Sequence, residues 1–434
     1  MTPVPLLGPD QLMTFLTQVG VLLAVALLLG ALARRLGLPA VVGELCAGVL
    51  LGPSVADQLL PGLTAWLLPK DPGQFHLLDA LGQIGVLLLV GLTGIHLDLR
   101  LVRRRGRSAA VISAFGLVIP LGLGVGCGLL LADGLVPPDA DRHVFALFLG
   151  VAMCVSAIPV IAKTLMDMGL LHRDIGQLTL TVGMVDDAVG WLLLAIVSAM
   201  ATTGVRADHV LTSIGGLLLV LAMAALLRRP LGLLSARTAR TPGATASAIA
   251  ALVLLAAAGA QRLGLEPVFG AFVAGIVLGG TRAATSDDLP VLRALVMSVL
   301  APVFFAIVGL RMDLTALGDG PVLLAALAVL AVAIAGKFLG AFAGALLCGL
   351  TRWEALALGA GMNARGVIEV IVATVGLRLG ILTPTAYTII ILIAITTSLM
   401  APPILRLAMT HIPPTKTEHT RLTQTTPTLT HPAK

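Results

Sequence analysis

Charge is scarce in this sequence. Asp, Glu, Lys and Arg together make up 12% of its 434 residues, against about 25% in an average soluble domain. Aromatic residues are scarcer still, at 3% with a single tyrosine. So apolar and charge-poor a chain is neither disordered nor an ordinary cytosolic enzyme. Cysteine is also rare. Cys46, Cys127, Cys154 and Cys348 all fall in apolar segments, and their spacing makes neither a disulfide framework nor a metal site, which leaves them as packing thiols. The first 33 residues contain no Lys or Arg. A cleaved signal peptide needs a basic n-region, so this segment is expected to remain as the first membrane span.

What is abundant is apolar length. Hydrophobic residues make up 58% of the chain, and the mean hydropathy is +1.03. Such a chain needs a bilayer as its solvent, and each crossing takes about 20 apolar residues. The 48 glycines and 25 prolines are compatible with membrane helices, whose neighbours satisfy the backbone groups they free. The expectation is an all-α polytopic membrane protein of about thirteen spans, near 12–34, 39–55, 77–97, 107–132, 143–167, 176–202, 207–228, 244–262, 266–280, 290–311, 320–350, 354–378 and 384–409. Residues 1–410 form the transmembrane domain, and the Thr- and Pro-rich 411–434 segment reads as a disordered cytoplasmic tail.

Basic residues orient the chain. With the N-terminus outside, 20 of the 28 Lys and Arg lie on the cytoplasmic side, among them Arg34, Arg35, Arg103, Arg104, Arg105, Arg107, Arg228, Arg229, Arg237, Arg240 and Arg282. The positive-inside rule favours this orientation in the plasma membrane, with the C-terminus in the cytoplasm. The net charge of +6 is thereby explained by the bilayer, and nucleic acid is not an expected partner.

Two motifs recur in the same order. Ala47–Gly52 (AGVLLG) returns as Ala274–Gly279 (AGIVLG), and Gly94–Leu99 (GIHLDL) returns as Gly309–Leu314 (GLRMDL). The copies lie seven spans apart, an odd offset, so the two halves have inverted topology. Inverted repeats with discontinuous helices are a transporter architecture.

Ionisable residues in mid-membrane are functional candidates by default. Asp186 and Asp187 stand side by side in the sixth span. Two adjacent carboxylates in a low dielectric do not ionise independently, so the pair is suited to holding a proton or a cation. Lys337, in the eleventh span, needs a counter-charge, and the aspartates are the obvious one. The fifth span is broken at Pro159, which lacks an amide donor, and Ser156 offers an oxygen there. The twelfth carries Asn363, Arg365, Gly366 and Glu369; Gly366 permits unwinding, and Arg365 and Glu369 are spaced to pair on one helical face. The fifth and twelfth spans are repeat mates, so two crossed discontinuous helices are expected to bring opposed helix ends around a small ion. Glu44, in the second span, is either a further functional acid or a satisfied structural one.

These motifs resemble the monovalent cation:proton antiporter-2 superfamily, in its cation/H⁺ exchanger (sodium/hydrogen exchanger-like) branch. The matching stretches are Gly43–Pro53, Val155–Lys163, Val185–Trp191, Ala301–Leu310 and Met362–Glu369. The resemblance implies a thirteen-helix fold with a mobile six-helix core and a dimerising panel, hence a homodimer. It implies exchange of Na⁺ or K⁺ for H⁺ by alternating access, with a part in pH homeostasis and no cofactor. Asp187 matches the ion-binding carboxylate and the only expected metal ligand, for Na⁺ or K⁺. Asp186 matches its neighbour, which pairs with a lysine at the position of Lys337. Ser156 stands where the branch usually has threonine.

Other readings compete. A gated cation channel needs a continuous polar pore, where the sequence shows one site. A sodium-coupled organic-anion symporter would share the fold. An intramembrane aspartyl protease needs its two aspartates face to face, normally from different helices, and Asp186 and Asp187 are sequence neighbours. No catalytic constellation remains, so the chain is not expected to be an enzyme.

Overall fold

The computed structural model describes residues 8–68, 72–95, 106–131, 133–170, 172–203, 215–216, 218–220, 222–226, 243–281, 286–415 and 418. Among these residues the regular structure is entirely helical. The principal helices are α1 (Pro9–Arg35), α2 (Ala40–Leu51), α3 (Pro72–Ile95), α4 (Gly106–Leu130), α5 (Arg142–Cys154), α6 (Ile158–Asp167), α7 (Asp174–Thr203), α8 (Ala244–Arg262), α9 (Pro267–Gly279), α10 (Asp288–Leu310), α11 (Gly320–Leu347), α12 (Arg352–Met362), α13 (Val367–Arg378) and α14 (Pro384–Met409). A π turn, Val296–Leu300, interrupts α10. Nine described helices are long and apolar enough to cross a membrane singly, and the bent pair α12 and α13 makes a tenth. Of the span expected at 207–228, residues 215–216, 218–220 and 222–226 are described, all helical. Arg103–Arg105, Arg228, Arg229, Arg237, Arg240, Arg282 and the His96–Leu99 part of the repeat lie outside the described residues.

Local chemistry sets the helix ends. After α1 the chain turns at Gly37 with φ +76°. The amides of Gly37 and Leu38 reach back to Arg34 O and Ala33 O at 3.1 and 2.9 Å, a glycine C-cap that closes the last turn. Thr351 and Glu354 form a capping box at the start of α12, and Asp141 caps α5 by accepting from the His143 amide at 2.7 Å. These devices satisfy terminal donors and acceptors that apolar surroundings would leave bare.

Packing sorts the helices into two groups. One, the panel, contains α1, α2, α3, α8, α9 and α10. The other, the core, contains α4, α5, α6, α7, α11, α12, α13 and α14. The start of α3 lies beside the start of α1, where Gln74 Nε2 donates to Gln11 O at 3.3 Å and to Gln18 Oε1 at 3.1 Å. The end of α14 lies beside the end of α1, with Arg406 against Gly37. The membrane face at which α1 begins is called the N-face below, and the opposite one, where α14 ends, the C-face.

The repeated motifs pack crosswise in the panel. Gly48 of α2 meets Gly309 of α10, and Gly275 of α9 meets Gly94 of α3. Each contact joins the first motif of one half to the second motif of the other, as an inverted repeat requires. No side chain fits. A Cβ on Gly48 would lie 1.9 Å from Ala306 O, one on Gly309 2.1 Å from Leu45 O, and one on Gly275 2.1 Å from Gly91 O. With lipid outside, helices gain from close backbone approach rather than from excluding water, which is why small residues mark these seams.

Of the 411–434 tail, residues 411–415 and 418 are described, and they pack on the C-face of the core; 416–417 and 419–434 lie outside the described residues. The His411 ring stacks on Trp353 with centroids 3.8 Å apart. Arg173 Nη2 donates to Ile412 O at 2.7 Å. Glu418 accepts from the amides of Asp174 (2.6 Å) and Thr415 (2.7 Å) and pairs with Arg173 at 3.0 Å. Burial pushes the Glu418 carboxyl up, but the two amides and Arg173 outweigh it and hold it below its ordinary value.

Two predictions follow from this packing. Gly48→Ala and Gly275→Ala should each destabilise the protein by at least the about 1–3 kcal/mol of ordinary overpacking. Gly126→Ala, on α4 with open space around it, should be neutral or slightly stabilising; thermal unfolding in detergent compares the three. A depressed carboxyl contributes docking energy fully above its unfolded value and loses it as pH falls through the folded one. Tail docking should therefore persist through the usual carboxylate range and fail only in stronger acid. Glu418→Gln should speed hydrogen exchange at the Asp174 and Thr415 amides several-fold near neutral pH.

Candidate functional site

The core is built around two interruptions. α5 stops at Cys154, Val155–Ala157 run extended, and α6 resumes with Pro159 in its first turn. α12 stops at Met362, Asn363–Gly366 are non-helical, and α13 leaves at 44° to α12. The breaks touch. The Ala157 amide donates to Ala364 O at 3.3 Å, and Ser156 Oγ donates to Met362 O at 3.1 Å. Gly366 is needed for this approach, because a Cβ there would lie 2.7 Å from Val160 Cγ2.

A break in apolar surroundings strands backbone carbonyls at the end of the first half-helix, where the helix dipole is negative. Two buried cations answer those of α5. Lys337 Nζ, from α11, donates to Cys154 O at 2.5 Å, to Gly116 O at 3.0 Å and to Asp186 Oδ2 at 2.7 Å. Arg365 donates to Ala152 O at 3.4 Å, to Ala333 O at 2.8 Å and to Glu369 Oε1 at 3.1 Å. Ser398 bonds the Arg365 carbonyl. Lys337, Asp186 and Asp187 are all 0% exposed.

The charges do not cancel. Lys337 is matched by Asp186, and Arg365 by Glu369. Among the described residues Asp187 has no ion-pair partner; it lies near the start of α6, toward the Ile158 amide, with Asp186 and Lys337 as charged neighbours. Among the described residues neither Asp187 oxygen makes a hydrogen bond of ordinary geometry, and the same holds for Asp186 Oδ1 and for both polar atoms of Asn363. Oxygen atoms of this kind suit a hard, small cation. Among the described residues no three His, Cys, Asp or Glu side chains converge as a metal cluster.

Of the residues singled out from sequence, Ser156, Asp186, Asp187, Lys337 and Asn363 meet around the two breaks, with Pro159 in the backbone of one and Gly366 in that of the other. Arg365 and Glu369 form the adjoining pair. Glu44 does not join them. It lies in the panel against Gly30 of α1, with Arg34 as its charged neighbour. Sequence reading overlooked Ser113, which donates to Val182 O at 3.2 Å and neighbours Asp186. A serine among apolar residues within α4 was its only signal. It also overlooked the carbonyls of Gly116, Cys154, Ala152 and Ala333, which no residue type announces.

Removing one partner of a buried pair costs about 3–5 kcal/mol, whereas replacing both is far milder. Lys337→Met should lower stability by that amount, and Lys337→Met with Asp186→Asn should recover much of it in thermal unfolding.

The sequence profile of the family described as "Sodium/hydrogen exchanger, transmembrane" matches residues 22–410. The Na(+)/H(+) antiporter NhaS4 of Synechocystis is 32% identical over 400 residues, covering 91% of this chain and 97% of that protein. Cation/H(+) antiporter 19 of Arabidopsis thaliana is 30% identical, and K(+)/H(+) antiporter 1 of Saccharomyces cerevisiae 29%. The alignments cover 88% and 92% of this chain but only 48% and 46% of those longer proteins. The fold is that of the sodium proton antiporter MjNhaP1 from Methanocaldococcus jannaschii, with a TM-score of 0.62 at 18% identity over 92% of this chain and 99% of that one. The family profile and the antiporter relatives support cation/proton exchange rather than channel conduction: this chain belongs to the sodium/hydrogen exchanger family of cation/proton antiporters.

Proposed function

We propose that Asp187 is the group shared by the two transported ions, taking a proton or a dehydrated Na⁺ or K⁺ in turn. The observation that carries this is its isolation: a fully buried carboxylate with no ion-pair partner and no hydrogen bond of ordinary geometry among the described residues, beside two helix breaks. Such a group is stable only with a proton or cation on it. Asp186, Ser156 Oγ, Asn363 Oδ1 and the exposed backbone oxygens of the break are the neighbours that replace the cation's water. Lys337 holds Asp186 when the site is empty; an arriving cation weakens that pair and helps release protons to the same side.

Exchange then follows from competition. Only the loaded carboxylate allows the core to move against the panel, so each crossing carries one kind of ion or the other. Two packed helix groups with a break-centred site between opposed helix ends suit alternating access. The N-face is assigned to the outside and the C-face to the cytoplasm of the plasma membrane, from the basic residues near the C-face. Assembly as a homodimer through α1 belongs to the same proposal, supported by its exposed Leu12, Leu16, Leu27, Leu28 and Leu32.

Asp187→Asn should abolish exchange at every pH, since no carboxylate remains for both ions to claim. Everted vesicles with a pH-sensitive dye, given Na⁺ and K⁺ separately between about pH 6 and pH 9, test this. Normal exchange in the variant would overturn the assignment.

A further inference from the structure

Among the described residues three polar contacts tie the core to the panel, and all three lie at the N-face. Arg378, in the last turn of α13, forms an ion pair with Glu266, the residue before α9. Tyr387, in α14, donates its hydroxyl to Val308 O of α10 at 2.9 Å. The Asp313 amide, just beyond α10, donates to Thr388 Oγ1 at 3.1 Å. In each contact one member moves with the core and the other with the panel. No displacement of one group against the other leaves them intact.

The panel side of this seam is itself braced. Arg311 pairs with Asp79 of α3, and Ser54 receives the Leu314 amide at 3.0 Å and donates to Met312 O at 2.8 Å. Val308 and Asp313 are thus presented by a fixed stretch of backbone. Between the groups, the space bounded by Gln83, Phe304, Thr374 and Arg378 amounts to about 10 Å³, barely the volume one water requires. The seam is closely packed at this point.

We infer that Glu266–Arg378, Tyr387–Val308 and Thr388–Asp313 form a latch that closes the ion site to the N-face, and that its opening is the step that admits ions from that side. The chemistry suits a reversible closure. Glu266 and Tyr387 are buried, so both need water as a substitute partner once the seam parts. Arg378 is partly exposed, 38% by side chain, so its cation keeps contact with solvent in either position. The latch is therefore firm when dry and replaceable when wet. The inference rests on the alternating-access reading, with core and panel as the moving parts.

The test locks the latch and then loosens it. In Glu266→Cys/Arg378→Cys, a disulfide or short thiol cross-linker should stop exchange by reconstituted protein, and dithiothreitol should restore it. Full exchange with the cross-link complete by mass spectrometry would overturn the latch. Loosening is read without transport, by labelling Ser156→Cys from the N-face with a membrane-impermeant maleimide, with the unsubstituted chain as background for its four native cysteines. Adding Glu266→Gln, or Tyr387→Phe, should raise the labelling rate several-fold, and the cross-link should suppress it while labelling from the C-face continues. Unchanged N-face labelling in both variants would overturn the latch even if the cysteine pair folds poorly. Absence of exchange in the wild-type protein would instead count against the exchange reading.

Discussion

The constraint on which the rest of the structure depends is that no backbone polar group may go unsatisfied in a dry interior. Breaking α5 at Cys154 frees carbonyls that water cannot reach. Lys337 and Arg365 supply the donors, which brings two positive charges into the centre of the core. Each in turn needs a carboxylate, and Asp186 and Glu369 provide them. Once that account is balanced, one further carboxylate, Asp187, is left over. On the function proposed above, the site's chemistry is this remainder: a carboxylate whose charge a transported ion neutralises.

The panel is held by a different force. Its glycine seams are backbone on backbone, through Gly48, Gly309, Gly275 and Gly94, with no room to adjust. Such seams are stiff. The core carries buried charge and broken helices, so it holds the groups whose bonding an ion can change. On the function proposed above, a rigid frame beside an ion-sensitive core is the division of labour that would turn ion binding into movement. It also explains why Glu44, which packs into the panel against Gly30, stands apart from the site despite being a membrane-embedded acid like the others.

Much of this was legible in the sequence. Composition alone demanded a bilayer and an all-α fold, because only helices satisfy their own backbone over so many apolar segments. The AGVLLG and GIHLDL motifs marked the inverted halves, and the rarity of charge made Asp186, Asp187, Lys337, Arg365 and Glu369 conspicuous. Those signals survive without coordinates because a charge in lipid is costly wherever it points. What only the tertiary structure decided is which partner each charge takes and which oxygens surround it. Lys337 lies 151 positions from Asp186 and 183 from Cys154, so no local spacing connects them. The carbonyls of Gly116 and Ala333 are common to every residue type and become ligands only through a fold that breaks one helix and turns another toward it.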